Sequence, residues 1–131
     1  MTVDILQIFT ATGREMFVDD GVLSTMSALK GLGEGNIQFF DLTGDFMSYE
    51  DMKKEYAKRS LIPANPVALA REDKTDQLLG EGRPVITIWD NEKGECCNAV
   101  FRIDCGVPVV EVDRIGTGIT GNWRCAGVQV P

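Results

Sequence analysis

Apolar and polar positions along the chain mark strands near both ends and helices in its middle third. Residues 3–10 are apolar on both faces at their centre, the pattern of a strand covered on both sides. Ala11-Thr12-Gly13 supplies a turn, and Arg14 to Val18 can return as a second strand with Met16 and Val18 on one face. Asp19-Asp20 offers a helix cap, followed by Val22, Leu23, Met26 and Leu29 at helical spacing, with Gly31 or Gly33 as the stop. Asn36 to Leu42 is the next strand. Ser48-Tyr49-Glu50-Asp51 reads as a variant capping box, and the helix it opens carries Tyr49, Met52 and Tyr56 on one stripe. Glu50 with Lys54 and Glu55 with Arg59 are spaced for ion pairs on its outer side.

Asn65-Pro66 starts another helix, with a cap immediately before a proline at the first helical position. That helix either runs to Gly80 or breaks near Asp73 to Asp76, where the pattern turns polar. The last third is β: Pro84 to Asp90, Cys97 to Cys105, Val107 to Asp113 and Trp123 to Val130 alternate or run apolar. The short linkers at 91–94 and at Cys105-Gly106 predict that the first three of these strands form an antiparallel meander. The expected class is α+β: a mostly antiparallel sheet of about six or seven strands, with two or three helices packed on one face.

The strand-turn-strand-helix-strand opening is that of β-grasp proteins, and Gln7-Ile8-Phe9 with Thr12-Gly13-Arg14 resembles the first hairpin of ubiquitin. The likeness covers a short stretch of residues that any hairpin favours, and it carries no family assignment.

With 131 residues, 44% of them hydrophobic and 25% charged, the chain has the length and composition of one globular domain spanning residues 1–131. No apolar run reaches the roughly 20 residues that cross a bilayer, and the opening residues lack the basic stretch of a signal peptide. A cytoplasmic location with no membrane partner is therefore expected. The net charge of −7 argues against nucleic acid as a partner, since phosphate contacts require clustered Lys and Arg, and it favours a basic one. With no histidine in the sequence, no Ser-His-Asp or Cys-His machine can be built, nor a metal site that needs imidazole.

Gly116-Thr117-Gly118-Ile119-Thr120-Gly121 matches a dinucleotide-binding pattern, but the residues that follow read as a strand and leave no room for the required helix. The cysteines at 96, 97, 105 and 125 contain no C-x-x-C pair. On a strand, Cys97, Ala99, Phe101, Ile103 and Cys105 share a core face, which leaves Cys96 on the polar face as the expected reachable thiol. No metal, cofactor or catalytic residue is assigned.

Two classes of function remain. The favoured one is a small acidic, non-enzymatic interaction protein of accessory, inhibitor or immunity type. It would act through a sheet edge or through an acidic face that includes Glu72, Asp73 and Asp76. The alternative is a small-molecule sensor, or a modest enzyme relying on carboxylates and tyrosines, with Asp41, Tyr56 and Trp89 facing one cavity between sheet and helices. Phe39 and Phe40 point to opposite faces of their strand, so one of them is a further candidate to line that cavity. Exposed strand edges also make homo-oligomers an expected form.

Overall fold

The computed structural model describes residues 13, 15–18, 36–42, 47–90, 94–114, 118–119 and 123–129. The expected strand at 3–10, most of its turn with the ubiquitin-like residues, and the helix from Val22 to Leu29 lie outside the described residues. In chain order the elements are β1 (Glu15–Val18), β2 (Ile37–Leu42), β3 (Met47–Ser48), α1 (Tyr49–Lys58), β4 (Leu61–Pro63), α2 (Pro66–Arg71) and α3 (Asp73–Leu79). They continue with β5 (Val85–Asp90), β6 (Cys96–Asp104), β7 (Val107–Arg114), β8 (Gly118–Ile119) and β9 (Trp123–Gln129). The class is α+β, with three helices and a mostly antiparallel sheet among the described residues.

The main sheet runs β1-β7-β6-β5-β9-β2, with β4 also paired to β9, while β3 and β8 form a separate two-stranded ladder. The β5-β6-β7 meander is antiparallel throughout, as the short linkers predict. Its β6–β7 turn is Cys105-Gly106, with φ of 50° and 81°. Positive φ at both central residues gives the turn the twist that a two-residue hairpin requires. Two pairings are parallel, β1 with β7 and β5 with β9.

The helices divide between the two faces of the sheet, where the sequence pattern placed them on one. Tyr49, Met52 and Tyr56 of α1 pack with Ile86, Ile88, Val100 and Cys125. Leu69 and Ala70 of α2 and Leu78 and Leu79 of α3 pack on the opposite face with Val85, Cys97, Ala99 and Phe101. The reason lies in the central strands: β5 is buried at its first five positions, so both of its faces need cover.

Local chemistry fixes the helix boundaries. The Ser48 hydroxyl accepts from the Asp51 backbone N–H at 3.2 Å and starts α1, with Glu50 and Asp51 complementing the helix dipole. On the outside Glu55 pairs with Arg59 at 3.3 Å as its spacing predicts, whereas Glu50 pairs with Lys53 and Asp51 with Lys54. The Asn65 side chain accepts from the Ala68 N–H and opens α2. The next helix does break, at Glu72, whose carboxylate accepts from the Lys74 N–H and caps α3. Buried Thr75 donates to the Leu69 carbonyl at 2.8 Å and ties the two short helices together.

β5 and β9 are paired at Val85 with Arg124 and at Ile86 with Cys125, and then β4 takes over the same side of β9. Polar groups close this split. The Ala64 N–H donates to the Ala126 carbonyl at 3.1 Å, and the Tyr56 hydroxyl donates to the same oxygen at 2.8 Å. The Thr87 hydroxyl of β5 donates to the Ala64 carbonyl at 2.6 Å. Gly127 sits where Tyr56 crosses. A Cβ there would stand 3.0 Å from Tyr56 Cε1 and 3.0 Å from the Ile62 carbonyl oxygen, so glycine is required for the approach.

Candidate functional site

Among the described residues β2 is an edge strand, paired with β9 from Ile37↔Val128 to Leu42↔Trp123. Its successive side chains turn to alternate faces. Phe40 faces α1, where its ring meets Tyr56 edge-on at 4.9 Å and lies under the Arg59 guanidinium at 4.3 Å. Phe39 faces the other way and lines an open groove of about 310 Å³ together with Ile37, Gln38, Asp41, Lys74, Leu78 and Arg124. The groove therefore lies between the edge strand and α3, with β9 contributing the arginine.

Ile37, Phe39 and Leu78 supply the apolar part of its lining. Its polar side is an ion-pair chain. Asp41 and Arg124 are cross-strand neighbours, and the Arg124 Nε lies 3.2 Å from the Asp41 Oδ1. That nitrogen is buried and is not aligned for a hydrogen bond, so the contact is ionic only. Arg83 approaches the same Asp41 oxygen at 3.3 Å, and the other end of the Arg124 guanidinium pairs with Glu81. Asp41 thus faces two guanidiniums. Lys74 forms no ion pair with the described residues.

Of the residues singled out from sequence, the structure brings Asp41 and Phe39 to this groove. Tyr56 packs on the α1 face, where its hydroxyl serves as a donor inside the fold. Burial holds its phenol well above the usual range, so it stays protonated. Trp89 packs in the cluster on the α2 and α3 face, and its indole N–H has no hydrogen-bond partner among the described residues. Tyr56 and Trp89 thus lie in separate core clusters, and neither lines the groove with Asp41. Glu72, Asp73 and Asp76 cluster at the opening turn of α3, next to the groove but outside its lining.

The thiols are arranged differently from the strand pattern. Cys97, Ala99 and Phe101 are buried, but Ile103 is 46% exposed and Cys105 is exposed, because β6 runs beyond the cover of the helices to its hairpin tip. Cys96, expected to be reachable, is half-buried against the α1 cluster, and burial pushes its thiol up to about 12. Cys105 is the exposed thiol. None of the four cysteines forms a disulfide.

Among the described residues no three His, Cys, Asp or Glu side chains gather as a metal-ligand set, and no helix is long and apolar enough to cross a membrane. Sequence reasoning missed Lys74, Leu78 and Arg124. One signal for Arg124 was present, a lone cation within the apolar run from Trp123 to Val130, which calls for a buried counter-charge. Comparison with protein-family models, with curated proteins and with solved structures finds no match.

Proposed function

We propose that this chain is a non-enzymatic interaction domain that binds an extended segment of a partner protein along the outer edge of β2. The observation that carries the reading is the edge itself, a six-residue strand with one neighbour among the described residues and a groove of mixed polar and apolar lining beside it. An added strand gains main-chain hydrogen bonds from such an edge, and a flanking groove gives it side-chain specificity. The groove's two acid–base partners, Asp41 and Arg124, are engaged with each other, which suits recognition better than proton transfer. The overall charge of −7 and the exposed Asp73 and Asp76 beside the groove favour a partner of net positive charge.

The test is to pan a displayed library of random short peptides against the protein and map the selected peptides by amide hydrogen exchange. Peptides that slow exchange across Ile37 to Leu42 support the proposal. Selection of no peptide, or protection confined to other strands, refutes it. Sedimentation at rising concentration covers the case in which the partner is a second copy joined edge to edge.

The groove's volume of about 310 Å³ also favours a second reading, a sensor of a small organic molecule, since that is the lower end of the range for ligand pockets. A thermal-shift screen against metals, nucleotides, sugars and organic acids separates the two. A ligand at a hundred times its Kd adds about 2.7 kcal/mol of stability.

A further inference from the structure

We infer that the groove beside β2 selects a bound segment carrying an apolar side chain and a carboxylate two positions apart, the carboxylate meeting Lys74. The inference rests on the edge-binding reading and names what that edge recognises. Three features of the groove lead to it.

The first is charge. The lining holds Lys74 and Arg124 against Asp41, an excess of one positive charge in a chain whose net charge is −7. Asp41 lies between Arg83 and Arg124, and Arg124 is shared with Glu81, so the charges of this chain are largely matched. Lys74, with no carboxylate partner among the described residues, is the cation left to meet an incoming anion. The second is the apolar part of the lining: Ile37, Phe39 and Leu78 offer a surface for an apolar side chain.

The third is spacing. Lys74 and Leu78 are four residues apart on α3, which separates them by about 6 Å along the helix axis. Residues i and i+2 of an extended strand share a face and lie about 6.7 Å apart. A strand lying along β2 can therefore set an apolar side chain over Leu78 and Phe39 while its second neighbour on that face reaches Lys74. An apolar residue followed directly by the acid would send the two to opposite faces and lose one contact.

Three acetylated, amidated peptides test this, each built on a leucine-threonine-X core flanked by valines, with X as glutamate, alanine or lysine. Binding is followed by NMR titration of the full chain. The glutamate peptide should bind tightest and shift the amides of Gln38, Phe39, Lys74 and Leu78. Lys74→Glu should weaken that peptide about tenfold and reverse the order of the glutamate and lysine peptides. Lys74 is exposed, so this variant should fold, and an unchanged spectrum away from the groove checks that it does.

Equal binding of all three peptides at β2 overturns the carboxylate inference and leaves the edge reading standing. Shifts confined to Glu72, Asp73 and Asp76, or no shifts with any peptide, overturn both. If free octanoate shifts the groove residues and the peptides do not, the site belongs to a small acid, and both the inference and the edge reading fall.

Discussion

β5 and β2 are each six residues long and largely apolar, yet they meet water in opposite ways. β5 is buried at all but its last residue, whereas in β2 only Leu42 is buried and Gln38 and Asp41 are exposed. Their sequences, VITIWD and IQFFDL, differ little in hydrophobicity, so composition does not explain the contrast. Neighbours do. β5 lies between β6 and β9, with α1 on one face and α2 and α3 on the other. Among the described residues β2 has β9 as its one neighbour in the sheet, and its two faces meet the flanks of α1 and α3. An apolar strand placed at the margin of the core leaves part of its surface exposed, and the proposed site rests on that exposure.

The same truncation at centre and edge measures this difference. Phe101, fully buried in β6, and Phe39, half-buried in β2, lie on the same face of the sheet. Phe101→Ala should destabilise the protein by about 3–5 kcal/mol, the cost of removing a core aromatic and leaving a cavity. Phe39→Ala should cost about half as much or less, since less of its area leaves water on folding. Urea unfolding of the two variants gives both numbers. Equal losses would mean that β2 is covered in solution, and the edge would no longer be available to a partner.

A smaller effect is expected where the sheet splits. Gly127→Ala puts a methyl group 3.0 Å from both the Tyr56 ring and the Ile62 carbonyl, and the backbone neighbour cannot rotate away. Overpacking of this kind costs about 1–3 kcal/mol. Restoring room with Tyr56→Phe should not rescue it, because the clash is with the ring and not the hydroxyl. Recovery in the double variant would show that the hydroxyl's bond to Ala126, and not the ring, fixes the approach.

Alkaline pH probes the same interior. Burial pushes the Cys125 thiol up to about 12 and, to a lesser degree of enclosure, does the same for Cys96. In the unfolded chain these thiols ionise near their ordinary value of about 8.5. Above that pH the folded state holds more protons than the unfolded state, so stability is fully present below it and is lost as pH rises toward 12. Melting curves between pH 8 and pH 11 should fall, and Cys125→Ala should flatten the fall. An unchanged slope in the variant would remove Cys125 from the account.

Much of this architecture is legible in the pattern of residues because it is local. The strands at β2, β5, β6, β7 and β9, the cap at Ser48 and the start at Asn65 all follow from alternation, capping chemistry or turn residues within a few positions. What the pattern hides depends on contacts distant in sequence. Leu61–Pro63 is too short to alternate, so its role in filling the gap between β5 and β9 is invisible until those strands are in place. The parallel pairings, the division of helices between faces and the meeting of Asp41 with Arg124 are set by topology in the same way. Alternation puts Cys105 on the core face, but it states which face a residue takes and not where the covering helices end, and Cys105 is exposed.

The smallest effects concern ion pairs, and here the contrast between centre and edge runs in reverse. At the end of β5, the Lys53 ammonium contacts both Asp90 oxygens at 3.1 Å. Its side chain is 37% exposed and that of Asp90 50%, so water and salt screen the pair, and Lys53→Ala should cost about 0.2–1 kcal/mol. At the edge, the Arg124 side chain is only 14% exposed, so its charge depends on the protein for solvation. Asp41→Ala leaves that guanidinium with Glu81 alone among the described residues, and should cost about 1 kcal/mol, the upper end for a partly exposed ion pair. The two variants also separate by salt: raising ionic strength should erase the Lys53 effect and leave most of the Asp41 effect, since buried pairs are screened less. If Asp41→Ala proves as mild and as salt-sensitive as Lys53→Ala, Arg124 is hydrated from the groove. Its guanidinium would then be open to an incoming carboxylate alongside Lys74.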